Sequence, residues 1–467
     1  MGKTKGNAKN DDNKVGMGKL LRWQSSGISV TVATLLIQSY ISYFCTDALY
    51  LEPAIVALVL AGSKVFDSVT DVLAGFIIDR TNTRWGKGRP YEIFMVLLWL
   101  ATWLLFACPA GLSTVMKYVW VFIMYIFVNA VCCTFLNGNN VVYMVRAFKT
   151  REQQTKIVAY GNFFSMAAGF VFNIAFPIAM TKIATDASGW ARLVAMMAVP
   201  LTLLGLIRVL TIKEEYNNED DTREDREKLK VKDCFTLFAG NRDALLLTAI
   251  LLFVNMATGL GVGTYYFKYV IGNTALISVA SAATVLGLPI AFLLPMMRNK
   301  LGMRKMSLLG FYVQMAGLVV YGLAGSNLIL VLIAVVMTSI GIVPFTMMLN
   351  MFIVDCADYN EMINKPRMEG TMGSVFGLAK KVGAALGTLI SGLLLSAVNY
   401  SSTLPMGIDN GAAVVMIRML SSLIPFVILL CAVLLLRRYH LDEKLAPWRE
   451  AQKAASAQAA EETASEA

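Results

Sequence analysis

Between Gly27 and Leu436 the chain repeats one pattern, an apolar run followed by a short polar break. Most of the runs reach the ~20 residues a helix needs to cross the roughly 30 Å hydrocarbon core of a bilayer. No water is available there to satisfy a broken backbone, so a chain built this way has to fold as helices that close their own hydrogen bonds. The runs cover 27–45, 53–78, 92–112, 118–145, 157–181, 190–210, 244–271, 275–297, 306–324, 328–354, 372–398 and 413–436. These twelve spans predict an all-α membrane protein with both ends on one side. Composition agrees, with 57% hydrophobic and 15% charged residues and a mean hydropathy of +0.61. Soluble domains sit near 45–50% apolar and about 25% charged. An ordinary cytosolic enzyme, a secreted disulfide scaffold and a disordered protein are all excluded.

The net charge is +10, from 41 Lys+Arg against 31 Asp+Glu. A nucleic-acid partner would need these cations gathered on one folded surface. They recur instead between spans: Arg80, Arg84, Lys87 and Arg89 in the second break, Arg146, Lys149, Arg151 and Lys156 in the fourth, Arg298, Lys300, Arg304 and Lys305 in the eighth. The stretches 47–52 and 399–411 hold no Lys or Arg. The positive-inside rule then puts both termini and the even-numbered breaks in the cytoplasm of a multi-pass protein in the plasma or inner membrane. The polar, basic start, Met1 to Gln24, has no apolar segment directly behind it, so no cleavable signal peptide is expected. The seven cysteines match no ligand template, and Cys45, Cys108, Cys132, Cys133, Cys356 and Cys431 read as packing residues in or beside apolar segments.

The longest internal break divides the spans six and six. The expected organisation is a cytoplasmic N-tail 1–26, a six-helix bundle 27–212, a charged linker 213–243, a second bundle 244–437 and a cytoplasmic C-tail 438–467. Breaks two and eight, at matching places in the two halves, both combine glycine with a basic cluster. This is the mark of duplicated six-helix halves, as in major-facilitator transporters.

A charge deep in the bilayer costs at least about 2.5–3.5 kcal/mol, so such residues point to function. The second span carries Lys64, Asp67 and Asp71, and spacings of three and four put them on one helical face. One lysine and two aspartates leave a negative charge over, which suits a carboxylate pair holding a coupling cation or a proton. A self-compensating pair that only orients helices is the competing reading. In the eleventh span, Lys380 and Lys381 lie about 100° apart on a helix, so one at most faces a cavity easily. Lys381, directly before Val382 and Gly383, is the better candidate. Asp355, Asp358, Tyr359 and Glu361 follow the tenth span, where a solvated helix end explains them better than a gate. Asn137, Asn139, Asn140 and Asn162 suit either substrate hydroxyls or contacts between helices.

These residues carry a resemblance. The segment from Lys64 through Asp67, Asp71, Gly75, Asp79, Arg84, Trp85, Gly86, Lys87 and Arg89 to Pro90 resembles the helix-two signature of the glycoside–pentoside–hexuronide:cation symporters. That group contains the melibiose permease and the glucuronide carriers. Asp355-Cys-Ala-Asp358-Tyr359-Asn-Glu361, then Arg367-Met-Glu369-Gly370 and Lys381-Val-Gly383, is similar to the family's helices ten and eleven, and Tyr43-Phe-Cys-Thr-Asp47 to its end of helix one. The resemblance implies a major-facilitator fold working by alternating access, which moves a sugar with Na⁺, Li⁺ or H⁺ and without a further cofactor. It implies a cation site at Asp67 and Asp71, and a substrate site with Lys64 and Lys381. It also implies a cytoplasmic gate drawn from Asp79, Arg80, Arg84, Arg89, Asp355, Asp358 and Arg367.

The departures from the family pattern concern the sugar site. Thr31 and Asn137 stand where melibiose-type carriers place acids, and Asn162 stands near their helix-five arginine. A pocket that loses acids and keeps Lys64 and Lys381 leans towards a hexuronide or other acidic glycoside. A neutral glycoside, a lysolipid, a peptide or a non-transporting sensor are the competing assignments, since fold does not fix cargo. No phosphate-binding loop of an ATP-driven pump occurs, and the single histidine, His440, sits in a basic stretch with no enzyme constellation around it. The chain therefore reads as a transporter that is not an enzyme and functions as a monomer.

Overall fold

The computed structural model describes residues 15–81, 83–109, 111–214, 241–284, 288–363, 369–400, 411–441, 444–445 and 447–448, and those residues are helical almost throughout. Ten helices among them are long and apolar enough to cross a membrane. The second predicted span is also one continuous helix, Pro53–Arg80. Its first part, Pro53–Lys64, is apolar. Part of the eighth predicted span lies outside the described residues; its start is the helix Leu276–Ala283.

The chain divides into two compact units. The first holds residues 1–224, 261–282 and 388–417, and the second holds 225–260, 283–387 and 418–467. In the first unit, span one runs Met17–Tyr43 and continues as a π-helical turn, Phe44–Ala48. It starts ten residues before the expected Gly27 because Leu20 and Trp23 have apolar partners of their own, Tyr143, Ala147 and Phe148. Further along, Tyr40 and Phe44 enter an aromatic cluster with Phe106, Phe172, Phe176 and Trp190, ring centroids 4.5–6.3 Å apart. Spans one, three, five and six are thereby packed about one core. Without a hydrophobic driving force between helices in lipid, such packing and the polar ties below hold the bundle together.

The strongest polar tie is buried. Glu92, at the start of span three, is fully buried and pairs with Arg208 of span six, itself 3% exposed. Arg208 Nε donates to Glu92 Oε2 at 3.0 Å and its NH1 to Asn140 Oδ1 at 2.8 Å. Asn139 and Ser26 each donate to the same carboxylate at 3.2 Å. The guanidinium also lies 4.8 Å from the Trp23 ring, within cation–π range. Glu92 and Arg208 sit one at each end of predicted apolar runs, where a snorkelling charge would be the ordinary reading. Asn139 and Asn140 thus serve contacts between helices.

In the second unit, spans nine and ten cross at Gly310 and Gly341. A Cβ on Gly310 would lie 2.5 Å from the Gly341 carbonyl oxygen, and one on Gly341 2.6 Å from that of Gly310. Span seven is interrupted between Thr258 and Gly263, and span twelve at Ser422. Break eight contracts to one non-helical residue, Gly302, at φ 75°. Its counterpart in break two, Gly86, is also in the positive-φ region at 117°, so the two related breaks use glycine for the same conformational reason. The first residues of the expected C-tail are anchored: Tyr439, Leu441 and Leu445 are fully buried in this unit's core, and Lys444 pairs with buried Asp243 at 2.6 Å. Five of the described cysteines are buried and Cys431 is half-buried. Cys234 lies outside the described residues.

Removing one partner of a buried ion pair strands the other charge, at a cost of about 3–5 kcal/mol. Arg208→Met should therefore lower the apparent melting temperature sharply in a detergent thermostability assay. The double variant Glu92→Gln/Arg208→Met should recover more than half of that loss. A single variant as stable as the parent would show that the pair is dispensable.

Candidate functional site

Lys64, Asp67 and Asp71 lie along span two with the expected spacing, and the structure supplies partners that the sequence did not announce. Lys64 Nζ donates to Thr388 Oγ1 of span eleven at 3.3 Å. Thr134 of span four is hydrogen-bonded through its hydroxyl to Asp71 Oδ1 at 2.8 Å. Thr134 directly follows a π-helical segment, Phe127–Cys133, and such wide turns shift the register of every side chain after them. Period-3.6 reasoning passes over that shift. Thr388 gave no signal in sequence, being one of many small polar residues in apolar runs. Asp67, one turn from Lys64, is half-buried. The face thus joins one ammonium, two carboxylates and two hydroxyls, an oxygen-rich set of the kind hard cations prefer.

The other expected substrate residues are placed less centrally. Thr31 donates back to the Gly27 carbonyl at 2.8 Å within its own helix. Asn137 and Asn162 are exposed on spans four and five. Lys381, in the second unit, is half-buried two residues before Gly383. A Cβ on Gly383 would stand 2.3 Å from the Leu252 carbonyl oxygen, so glycine is what lets spans seven and eleven meet there. A cleft of about 500 Å³ between spans one, five and six is lined by apolar residues such as Ile28, Val32, Phe164, Phe172 and Met197. A sugar requires fixed polar partners, so this cleft does not suit one. Among the described residues, no group of three or more His, Cys, Asp or Glu gathers as a metal centre. Asp67 and Asp71 are a pair.

The expected gate residues divide. Arg80 and Arg84 are exposed at the end of span two and in the loop beyond it. Asp79 ends in the same helix with its side chain outside the described residues, as is the whole of Arg367. Asp355 and Asp358 correct the expectation of a solvated helix end. Span ten runs through them to Met362, and they are only 3% and 8% exposed.

Arg89 has an unexpected task. Its guanidinium donates to the Val209 carbonyl at 3.0 and 2.8 Å, tying the loop to the end of span six. The backbone N–H groups of Lys87, Gly88 and Arg89 converge on the Glu214 carboxylate at 2.9, 2.8 and 2.6 Å. Successive amides turned to one point form an anion-binding nest. Gly86 and Gly88 make it possible, because a Cβ on Gly88 would meet Asn139 Oδ1 at 2.5 Å and Tyr143 Cβ at 2.8 Å. The break-two loop is therefore clasped by the first residues of the linker. Glu214, read from sequence as one of many solvated linker charges, was missed for lack of any local signal.

A charged face on an otherwise apolar helix, among helices long and apolar enough to cross a membrane, suits a membrane transporter. The family model for MFS/sugar transport protein matches residues 24–443, and the chain belongs to that family. An isoprimeverose transporter of Lactiplantibacillus pentosus is 23% identical over 400 residues, covering 83% of this chain and 82% of that protein. The glucuronide carrier protein homolog of Escherichia coli is 24% identical over 423 residues, covering 86% and 88%. In fold, the chain is similar to a bacterial homolog of the human lysosomal transporter Spinster, solved in an inward-facing and occupied conformation. The TM-score is 0.65 at 14% identity, covering 94% of this chain and 98% of that one. The resemblance carried by the helix-two signature is borne out.

Hydrogen bonds to a charged group contribute about 1.5–3 kcal/mol each. Glu214→Ala should free the break-two loop and raise tryptic cleavage after Arg84 and Lys87 in detergent by at least about tenfold. Mass spectrometry of the fragments measures it, and unchanged cleavage would show that the clasp does not hold the loop.

Proposed function

We propose that this chain is a secondary transporter that moves a sugar or glycoside together with a cation, Na⁺, Li⁺ or H⁺, by alternating access. The observation that carries the reading is the Lys64–Asp67–Asp71 face with Thr134 beside Asp71 and Thr388 beside Lys64. A charged face of this kind inside an apolar helix is too costly to keep for packing alone. Asp67 and Asp71 take the cation, with Thr134 oxygen as a further ligand when Na⁺ or Li⁺ is the ion. Lys64 and Lys381 supply positive charge to the substrate, and Thr31, Asn137 and Asn162 are assigned to its hydroxyls. Arg80, Arg84, Asp355 and Asp358 are assigned to gating at the basic-rich end.

The substrate we favour is a hexuronide or another acidic glycoside. Acids expected of a melibiose-type site are replaced here by Thr31 and Asn137, whereas both lysines remain. The chain works as a monomer, with its tails and basic breaks in the cytoplasm, as the placement of Lys and Arg supports.

A counterflow screen of sugars in vesicles, with and without Na⁺ and a pH gradient, tests the reading. Asp67→Asn and Asp71→Asn should each abolish uphill accumulation while the protein still inserts; full accumulation in both variants would overturn the cation assignment. Lys381→Ala should reduce uptake of a glucuronide about tenfold or more beyond its effect on a galactoside, the scale of one lost charge-assisted hydrogen bond. An equal loss of both would show that the lysine does not read a carboxylate.

A further inference from the structure

At the basic-poor end the first unit contains a further polar cluster. Asp47, closing span one, has a carboxylate only 3% exposed. Lys268 Nζ meets its Oδ1 at 2.5 Å and the Tyr269 hydroxyl donates to the same oxygen at 2.6 Å. The Tyr400 hydroxyl lies 2.9 Å from Oδ2 and 2.9 Å from the Tyr269 oxygen, with one proton to give. Thr46 donates to Oδ2 at 2.7 Å, and its hydroxyl lies 2.8 Å from that of Tyr265. Burial and the Asp47 charge push the Tyr400 hydroxyl's pKa up, so it stays protonated as a donor.

The partners come from distant chain segments. Asp47 and Thr46 end span one; Tyr265, Lys268 and Tyr269 lie on the short helix Gly263–Tyr269, and Tyr400 follows span eleven. Spans two and eleven touch beside them. Ser396 Oγ donates to Glu52 Oε1 at 2.9 Å. A Cβ on Gly392 would fall 2.2 Å from Ala57 Cβ and 2.6 Å from the Pro53 carbonyl oxygen. The short helix is separated from the rest of span seven by an interruption containing Gly261 at φ 63°.

Charged and hydroxyl groups differ from apolar packing in one respect that matters here. Each can exchange its protein partner for water when the cluster opens, because hydration offsets much of a protein hydrogen bond. Glu92 and Arg208 are both enclosed, whereas Lys268 is 27% exposed, so water already reaches one partner of the Asp47 pair. A joint meant to part into water is better made this way.

We propose that Asp47, with Lys268, Tyr269 and Tyr400, is a releasable latch at the extracellular end: closed, as here, it ties spans seven and eleven to the end of span one, and it parts to admit substrate from outside. The inference rests on the transport reading, yet its first test needs no substrate. In right-side-out vesicles, a cysteine introduced by Ser396→Cys is labelled with a membrane-impermeant maleimide and followed by peptide mass spectrometry. Asp47→Asn should raise that labelling rate about tenfold or more, the scale of a lost charge-assisted interaction. Tyr400→Phe, which keeps the ring and loses only the hydroxyl, should raise it by a smaller factor and guards against a misfolded Asp47 variant. Unchanged labelling in both variants would overturn the latch, whatever the sugar screen finds. In a second arm, Glu52→Cys/Ser396→Cys is bridged by a short bifunctional thiol reagent. Uptake should stop on bridging and return when the bridge is reduced. Uptake at the parental rate with the bridge in place would show a static joint and refute the proposal.

Discussion

Every ionised group carried into the apolar spans has to find its compensation within the protein, because the bilayer offers none. The first unit shows three solutions to that constraint. Glu92 and Arg208 are buried together, with Ser26 and Asn139 donating to the carboxylate and Asn140 accepting from the guanidinium. Asp47 is likewise buried but gathers its donors from segments far apart in sequence. Lys64, Asp67 and Asp71 keep their charges along one face and take hydroxyl partners from spans four and eleven. The first arrangement fixes the bundle. The other two are less enclosed, with Lys268 27% exposed and Asp67 half-buried, as sites that bind or move require.

Glycine performs a parallel service for the backbone. In break two, Gly86 and Gly88 let successive amides turn to the Glu214 carboxylate. Gly302 marks the matching place in the second half. Gly383 and Gly392 let span eleven approach spans seven and two closely. Span eleven therefore carries a lysine, a hydroxyl partner for Lys64 and two close crossings within one helix.

Much of this was legible in the chain. Span boundaries held to within a few residues for most helices, because apolar length is a direct readout of bilayer thickness. The charged face of span two was visible because Asp and Lys are rare in such runs. The errors share a cause. Asp355 and Asp358 were read as solvated since they follow an apolar run, yet the helix continues and neighbouring helices cover them. Glu92 and Arg208 were passed over because a charge at the edge of a run ordinarily snorkels. Glu214 was one acid among many in a polar linker. Each mistake concerns a residue whose surroundings are supplied by segments distant in sequence.

By itself, then, the sequence determined the solvent, the all-helical class and the face of span two that carries charge, since these follow from local hydropathy and a period of 3.6. The tertiary structure alone decided which hydroxyl meets which charge. Thr134 reaches Asp71 after a π-helical turn has reset the register, Thr388 meets Lys64 across more than three hundred residues, and Asp47 collects donors from two remote segments. Such partnerships depend on helix rotation and close crossing, which are set by packing against neighbours and leave no periodic trace in the chain.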